Sequence, residues 1–121
     1  MIEALHHAPE GVLAFKAIGK VRAKDYDQVL KPAIDRVLAA GRKIRVVVVL
    51  GPEFDGYTSG AEWDDARLAL SNLRQLERCA VVSDRDWVEH LVKGFAWMMG
   101  GRLKLFAVEE LPAAMTWAAS G

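Results

Sequence analysis

The sequence lacks an excess of charge of either sign, because its sixteen lysine and arginine residues are balanced by sixteen aspartate and glutamate residues. A domain that binds nucleic acid usually shows a basic excess or a basic stripe, so this balance argues against a nucleic-acid partner. Cysteine is also scarce. Cys79 is the only one, which excludes a disulfide within the chain. Nothing therefore indicates an oxidising compartment, and we expect a cytoplasmic protein.

Long apolar runs are absent as well. No run approaches the roughly 20 residues that a membrane-spanning helix needs. The opening MIEALHHAPEG has neither the basic segment nor the apolar segment of a secretory signal peptide. A length of 121 residues suits one domain, and a hydrophobic content of 52% is sufficient for a substantial core. We therefore expect one soluble domain over residues 1–121.

Strand and helix patterns alternate in the first part of the chain. Residues 12–21 predict a strand, which forms a hairpin with a shorter strand at residues 2–5. A helix follows, with Asp25 as its N-cap, an apolar stripe of helical period, and Gly41 at its end. Pro32 lies inside this helix and is expected to kink it without abolishing it.

The second part of the chain continues this alternation. The segments KIRVVVVL (residues 43–50) and CAVVS (residues 79–83) are continuous apolar runs, typical of strands that are covered on both faces. A last strand is predicted at RLKLFAV, residues 102–108. Three further helices are predicted, at about residues 61–76, 86–99 and 112–119. The order predicts an α/β fold: a mixed, mostly parallel β-sheet with an N-terminal hairpin and about four packed helices.

Two loops follow buried strands, at residues 51–60 (GPEFDGYTSG) and 83–87 (SDRDW), and ligands of α/β sheets bind beyond the carboxyl ends of strands. The glycines of the first loop do not have the spacing of a dinucleotide site, a phosphate-binding loop or a hydrolase elbow. Ser59, with Glu62 three residues later, matches the N-cap of a helix. A helix N-terminus also stabilises a phosphate, so Ser59 and Thr58 are candidate phosphosites.

The acidic and histidine residues do not form a recognisable metal or catalytic site. The acids of residues 53–65 lack the register of a calcium loop, and Asp64 and Asp65 suit the first turn of a helix. His6 and His7 are adjacent near the end of the first predicted strand, and if that strand is extended there, their side chains point to opposite faces. No nucleophile–base pair is visible. We therefore expect no metal, no cofactor and no enzymatic activity.

The third predicted helix loses its polar side at its C-terminal end, where GFAWMMGG (residues 94–101) is apolar all round. Trp97 is aligned with His90 and Lys93, which belong to the polar side one turn earlier. One interpretation is packing against a second subunit or another part of the chain, and we accordingly expect a homodimer. The other is contact with an apolar small molecule, a lipid or the surface of the inner membrane.

One motif, LG-x-x-F-x-G…GA-x-W-x-D, runs from Leu50 to Asp65. It is accompanied by Lys20-Val21, Asp25-Tyr26, Pro32, Ala80-Val81-Val82-Ser83-Asp84, Trp87 and Trp117. These residues cover nearly the whole chain and resemble the SpoIIAA-like family of the STAS superfamily, which is named for sulfate transporters and anti-sigma-factor antagonists. The resemblance implies a mixed sheet with helices packed against it and no known catalytic activity. It also implies a role in binding apolar ligands or associating with membranes.

The resemblance is incomplete at the serine whose phosphorylation acts as a switch in anti-sigma-factor antagonists. Anti-sigma-factor antagonists carry Asp-Ser-Ser-Gly before the second helix, whereas this sequence reads Thr58-Ser59-Gly60 with no adjacent aspartate. The first hypothesis is a non-enzymatic module that binds a lipid-like ligand or a membrane. The alternative is a regulatory protein–protein interaction module with Ser59 or Thr58 as its phosphosite, and the third is a small enzyme that uses the acidic loop. Residues expected on the ligand or membrane surface are Phe54, Tyr57, Trp63, Trp87, Phe95, Trp97 and Met98.

Overall fold

A computed structural model describes residues 1–57, 76–86, 88–90, 92–93 and 102–120 of the chain. Seven strands lie within these residues: β1 (Ile2–Ala4), β2 (Leu13–Ala17), β3 (Gly19–Val21), β4 (Ile44–Val49), β5 (Phe54–Tyr57), β6 (Leu76–Val82) and β7 (Leu103–Phe106). The helical elements are α1 (Ala23–Asp25), a π-helical turn (Tyr26–Leu30), α2 (Lys31–Ala39), α3 (residues 86, 88–90 and 92–93), a 3-10 turn (Val108–Glu110) and α4 (Leu111–Ala119).

Five of these strands form one sheet in the order β1-β2-β4-β6-β7. The β1 strand is antiparallel to β2, with Ile2 opposite Ala17 and Ala4 opposite Phe15, whereas the other neighbours are parallel. The predicted mixed, mostly parallel sheet and its N-terminal hairpin are therefore confirmed. The two predicted buried strands, β4 and β6, occupy inner positions of this sheet.

The core lies on both faces of the five-stranded sheet. Along β4, Val46 belongs to one hydrophobic cluster, and Val47 and Val49 belong to another, because successive side chains of a strand point to opposite faces. We call the face with Val46 the first face and the face with Val47 the second face. Both clusters are apolar, which explains why β4 is an uninterrupted apolar run rather than an alternating one.

Helices cover both faces. On the first face lie α3, through Val88 and Val92, and the stripe of α2 with its preceding turn. On the second face lies α4, through Ala114 and Met115. The predicted stripe of the α2 region that packs against the first face comprises Val29, Leu30, Ala33, Ile34, Val37 and Leu38.

The first helical region begins earlier than its sequence predicts. Helix α1 starts at Ala23, and Asp25 is therefore not its N-cap but a residue of its first turn. There the Oδ2 atom of Asp25 accepts a hydrogen bond from the backbone N–H of Arg22 at 2.9 Å. The irregularity expected at Pro32 takes the form of the π-helical turn that immediately precedes α2. Proline lacks an amide donor and crowds the preceding turn, which a wider turn relieves.

The end of α2 at Gly41 is confirmed. Gly41 has a φ of +74°, a left-handed conformation that residues with a side chain rarely adopt. Its amide donates to the carbonyl of Leu38 at 3.0 Å, and the amide of Arg42 donates to the carbonyl of Val37 at 3.2 Å. This pair of bonds is the Schellman arrangement, which satisfies the last free carbonyls of a helix.

Two segments differ from the prediction. The strand predicted over residues 12–21 is divided into β2 and β3, because Gly19 has a φ of +63° and its amide donates to the carbonyl of Glu53 at 2.6 Å. This turn removes β3 from the main sheet and pairs it in parallel with β5, a strand within the segment that was predicted as a loop. Leu76, predicted as the end of a helix, begins β6.

The remaining helix predictions fall only partly on residues that the structure describes. Helix α4 is confirmed, with its proline in the first turn, and so is the beginning of α3. The predicted helix before β6 and the apolar end of the third helix lie outside the described residues. The expected total of about four packed helices therefore stays a prediction.

Candidate functional site

Among the residues predicted for a ligand or membrane surface, Phe54 has a described side chain, and that side chain is fully buried. It lies in the first-face core cluster with Val21 and Val88, because the pairing of β5 with β3 turns it inward. Phe54 is therefore a core residue and not a surface one. Tyr57 ends β5, but its side chain lies outside the described residues. The other predicted site residues also lie outside them: Thr58, Ser59, Trp63, Trp87, Phe95, Trp97 and Met98.

The beginning of α3 is amphipathic, as predicted. Val88 is 1% exposed and Val92 is 7% exposed, and both lie in the first-face core. His90 is exposed, and Glu89 forms an ion pair with Lys93 one turn later, with 2.8 Å between Oε1 and Nζ. The hydrogen bond from Lys93 lowers the pKa of the Glu89 carboxyl. The solvent-facing side of this helix is therefore defined by His90 and Lys93.

The carboxyl ends of three parallel strands meet at one edge of the main sheet. The amide of Leu50, directly after β4, donates to the carbonyl of Val82 in β6 at 2.7 Å. The amide of Ser83, directly after β6, donates to the carbonyl of Phe106 in β7 at 2.9 Å. These two bonds extend the ladder beyond the strands, so the chain leaves β4, β6 and β7 at neighbouring points.

Side chains connect these three strand exits. The Oγ atom of the buried Ser83 accepts the amide of Arg85 at 3.2 Å, which fixes the turn after β6. The Nη2 atom of Arg85 donates to the carbonyl of Pro52 after β4 at 2.9 Å. The amide of Val108 after β7 donates to the Oδ1 atom of Asp84 at 3.1 Å. Asp84 and Arg85 therefore join the exit of β6 to the exits on either side of it.

Two cavities flank the Asp84–Arg85 pair. One has a volume of about 310 Å³ and is also lined by Gly51, Pro52 and Val108. The other has a volume of about 330 Å³, and its further lining includes Ser83, Glu89, Ala107 and Glu110. We call these two cavities together the carboxyl-edge crevice.

In the sequence, the loops after β4 and β6 were candidate sites because they follow predicted buried strands. This criterion did not identify Arg85 or the residues that follow β7. Glu110 is one of the latter, and its Oε1 atom accepts the amide of Ala107 at 2.8 Å. Glu110 occupies the glutamate position of a capping box, but Ala107 has no side chain to complete that motif, so the sequence carries only half of the signal. The bond between Asp84 and Val108 joins residues far apart in sequence, so no local pattern reveals it.

The described part of the chain contains no group of three or more histidine, cysteine, aspartate or glutamate side chains that could hold a metal ion. Cys79 lies in β6, and burial of its thiol raises the pKa to about 12, which leaves it protonated and unreactive near neutral pH. No helix within the described ranges has the length and apolar character needed to cross a bilayer.

Comparisons with known proteins support the resemblance seen in the sequence. A family model described as SpoIIAA-like matches residues 12–119, which include the carboxyl-edge crevice. The chain is similar to the crystal structure of an uncharacterised protein of the DUF3478 family with a SpoIIAA-like fold from Shewanella loihica. The TM-score is 0.74 at 26% sequence identity, and the match covers 98% of this chain and 93% of that chain. No curated protein matches the chain.

Proposed function

Since the chain belongs to the SpoIIAA-like family, we propose that it is a non-enzymatic module that binds a lipid-like ligand or a membrane surface through the end of its third helix. The orientation of α3 carries this proposal. Val88 and Val92 pack into the core, so His90 and Lys93 mark the side that faces solvent. By helical spacing, Trp97 is predicted to continue that same side, although it lies outside the described residues.

Large apolar side chains are rarely exposed in the described part of the chain, which supports the need for a partner that covers residues 95–99. Among the described residues, Met1 is the one large hydrophobic residue that is exposed. The sequence FAWMM at residues 95–99 begins two residues after Lys93, which lies on the polar side of α3. Covering one large apolar side chain contributes about 1.5–3 kcal/mol, so several such side chains favour a lipid-like ligand, a bilayer or a second subunit.

The absence of enzymatic activity is part of the proposal. In the described part of the chain, the residues with clearly shifted pKa values are Asp25, Cys79 and Glu89. Each shift has a structural cause: a backbone hydrogen bond to Asp25, burial of Cys79 and a side-chain hydrogen bond from Lys93 to Glu89. Glu89 lines the carboxyl-edge crevice, but its shift comes from an ion pair within its own helix, whereas catalytic acids and bases are usually shifted by groups that act with them.

The proposal is tested by tryptophan fluorescence on a variant that keeps only Trp97, with Trp63, Trp87 and Trp117 replaced by phenylalanine. Neutral and anionic vesicles should both shift its emission to the blue, because the chain has no net charge and insertion would depend on apolar contact. The shift should vary little with salt.

The matched control keeps only Trp117, whose ring packs 5.9 Å from the ring of Phe106 and lies beneath the guanidinium of Arg78 at 4.8 Å. Its emission should not respond to vesicles. The proposal fails if the Trp97 emission stays unchanged while ultracentrifugation shows a dimer that Trp97→Ser dissociates. That result would instead confirm the expected homodimer.

A second candidate function is a regulatory protein–protein interaction module. The position of β5 favours it, because this strand ends at Tyr57 and the candidate phosphosites Thr58 and Ser59 follow at once. If Ser59 is a phosphosite, Ser59→Asp should abolish binding of a protein partner without changing the melting temperature. If Ser59 only caps a helix, Ser59→Ala should lower the free energy of unfolding by about 1 kcal/mol and leave partner binding intact.

A further inference from the structure

The chain leaves two neighbouring strands towards opposite faces of the sheet. After β6 it enters α3, whose Val88 and Val92 pack on the first face. After β7 it enters α4, whose Ala114 and Met115 pack on the second face. Since β6 and β7 are adjacent and parallel, their diverging connections leave a gap between them at the carboxyl edge. In open α/β sheets, ligands bind in this kind of gap.

The larger cavity of the carboxyl-edge crevice lies at this gap. Its lining includes Ser83, Asp84 and Arg85 from the exit of β6, together with Ala107 and Glu110 from the exit of β7. Its volume of about 330 Å³ falls within the range of roughly 300–1,000 Å³ that is typical of small-molecule sites. The topology and the cavity therefore indicate the same place.

Arg85 contributes a positive charge that no carboxylate neutralises among the described residues. Its Nη2 atom is held by a neutral partner, the carbonyl of Pro52, at 2.9 Å. A guanidinium group has five N–H donors in a planar fork, so others remain for a second partner. The backbone contact fixes the position of the group without using its charge, which suits it to bind an anionic group.

Two carboxylates of the crevice are held in a corresponding way. One oxygen of Asp84 accepts the amide of Val108 at 3.1 Å, and one oxygen of Glu110 accepts the amide of Ala107 at 2.8 Å. Both negative charges are thus positioned by backbone amides, and the second oxygen of each carboxylate is available to a further donor. Glu89 differs from them because Lys93 neutralises it.

We propose that the carboxyl-edge crevice binds a small zwitterion, with its anionic group on Arg85 and its ammonium group on Asp84 and Glu110. An anion without an ammonium group would face the two carboxylates without a compensating positive charge, and a cation without an anionic group would leave the guanidinium unpaired beside it. A zwitterion satisfies both signs of charge. This proposal does not depend on the apolar surface proposed for residues 94–99, and each proposal can fail while the other stands.

The test is a titration of the isotope-labelled chain, followed by amide chemical shifts in two-dimensional NMR spectra. The probes are O-phosphoethanolamine and glycine as zwitterions, inorganic phosphate as the anion and ethanolamine as the cation. We expect saturable shifts at the amides of Arg85, Ala107 and Val108 with a zwitterion at millimolar concentration. Comparison of the two zwitterions shows whether the crevice prefers a phosphate or a carboxylate group.

Charge-removing variants keep the test independent of folding. Asp84→Asn and Glu110→Gln retain the oxygen that accepts the backbone amide, so their spectra should remain dispersed while binding weakens about tenfold each. Arg85→Gln should weaken binding by at least about tenfold, whereas Arg42→Gln, at an exposed arginine outside the crevice, should leave it unchanged.

Three results would overturn the proposal. The first is no saturable shift with either zwitterion. The second is binding of phosphate or ethanolamine alone as tight as that of the zwitterions. The third is an equal affinity of the Arg85→Gln and Arg42→Gln variants.

Discussion

At the scale of single residues, Asp25 joins the first helical turn to the start of the chain. Its carboxylate accepts the backbone N–H of Arg22 at 2.9 Å and lies 3.2 Å from the amino group of Met1. The hydrogen bond from Arg22 is the main cause that lowers the pKa of this carboxyl, and the amino group adds to it. The same amino group donates to the carbonyls of Ile18 and Lys20, at 2.9 and 3.1 Å. Through the amino group of Met1, the Asp25 side chain thereby links α1 to the backbone on either side of Gly19.

The lowered pKa of Asp25 predicts an acid-dependent contribution to stability. The unfolded chain binds the proton of this carboxyl more tightly than the folded chain, so the contribution is present above the ordinary pKa of about 4 and is lost as the pH falls through the lower folded value. Asp25→Asn should therefore lower the free energy of unfolding by about 1 kcal/mol near neutral pH and by less in acid.

Urea denaturation at about pH 7 and about pH 3 measures this difference. Asp35→Asn is the matched control, because Asp35 is an exposed acid of α2. Equal losses of stability for Asp25→Asn at both pH values would contradict the assignment.

At the scale of elements, two arginines of the main sheet hold the C-terminal end of α4. Arg45 of β4 donates to the carbonyls of Ala118 and Ser120 and forms an ion pair with Glu77. Arg78 of β6 donates to the carbonyl of Trp117 at 3.3 Å and lies over its ring. The last carbonyls of a helix carry partial negative charge and lack partners within the helix, which is why cations stabilise them.

These contacts predict that α4 depends on Arg45. Arg45→Met should lower the free energy of unfolding by about 1–3 kcal/mol, because helix carbonyls lose a charged donor and Glu77 loses its partner. Amide hydrogen exchange of residues 111–119 should accelerate more than that of β4. Arg36→Met is the control, since Arg36 is exposed and donates within α2. Unchanged exchange in α4 would contradict this account.

The individual elements also show how much of the fold can be predicted from local sequence patterns. The hairpin, β4, β6 and the stripe of α2 were predictable because each has a hydrophobic period or a continuous apolar run. The β5 strand was missed because it has four residues, includes Gly56 with a φ of +110°, and pairs with a three-residue strand. Its formation depends on the partner that Gly19 turns towards it, which is a tertiary effect.

The candidate site was less predictable than the fold for the same reason. Two loops at the carboxyl edge could be chosen from the positions of the strands alone. The role of Arg85 depends on the carbonyl of Pro52, and that of Asp84 on the amide of Val108, and both pairs are distant in sequence. The aromatic residues chosen for an apolar surface included Phe54, which is buried. The choice was wrong because composition alone does not distinguish a core aromatic residue from an exposed one.

At the scale of the whole molecule, the described chain is layered around an inner pair of strands. The β4 and β6 strands lie between other strands and have apolar clusters on both faces, whereas β1 is a three-residue strand at the edge. Helices α2 and α3 cover the first face and α4 covers the second. The chain therefore has its greatest burial at the centre of the main sheet.

This layering predicts the order of amide hydrogen exchange. The amides of Val47 and Ala80, which are paired across β4 and β6 and fully buried, should exchange only with global unfolding. Those of Glu3 and Ala4 at the exposed edge should exchange faster, by local opening. Exchange by NMR at several urea concentrations measures this order, and equal rates in β1 and β4 would contradict the strand order.

Native mass spectrometry of the chain purified from its host distinguishes a lipid-like partner of residues 94–99 from a second subunit. One spectrum reports both bound ligand and oligomeric state. We expect a bound lipid-like mass that Trp97→Ser removes and Trp117→Phe retains. A ligand-free dimer that Trp97→Ser converts into monomers would contradict it.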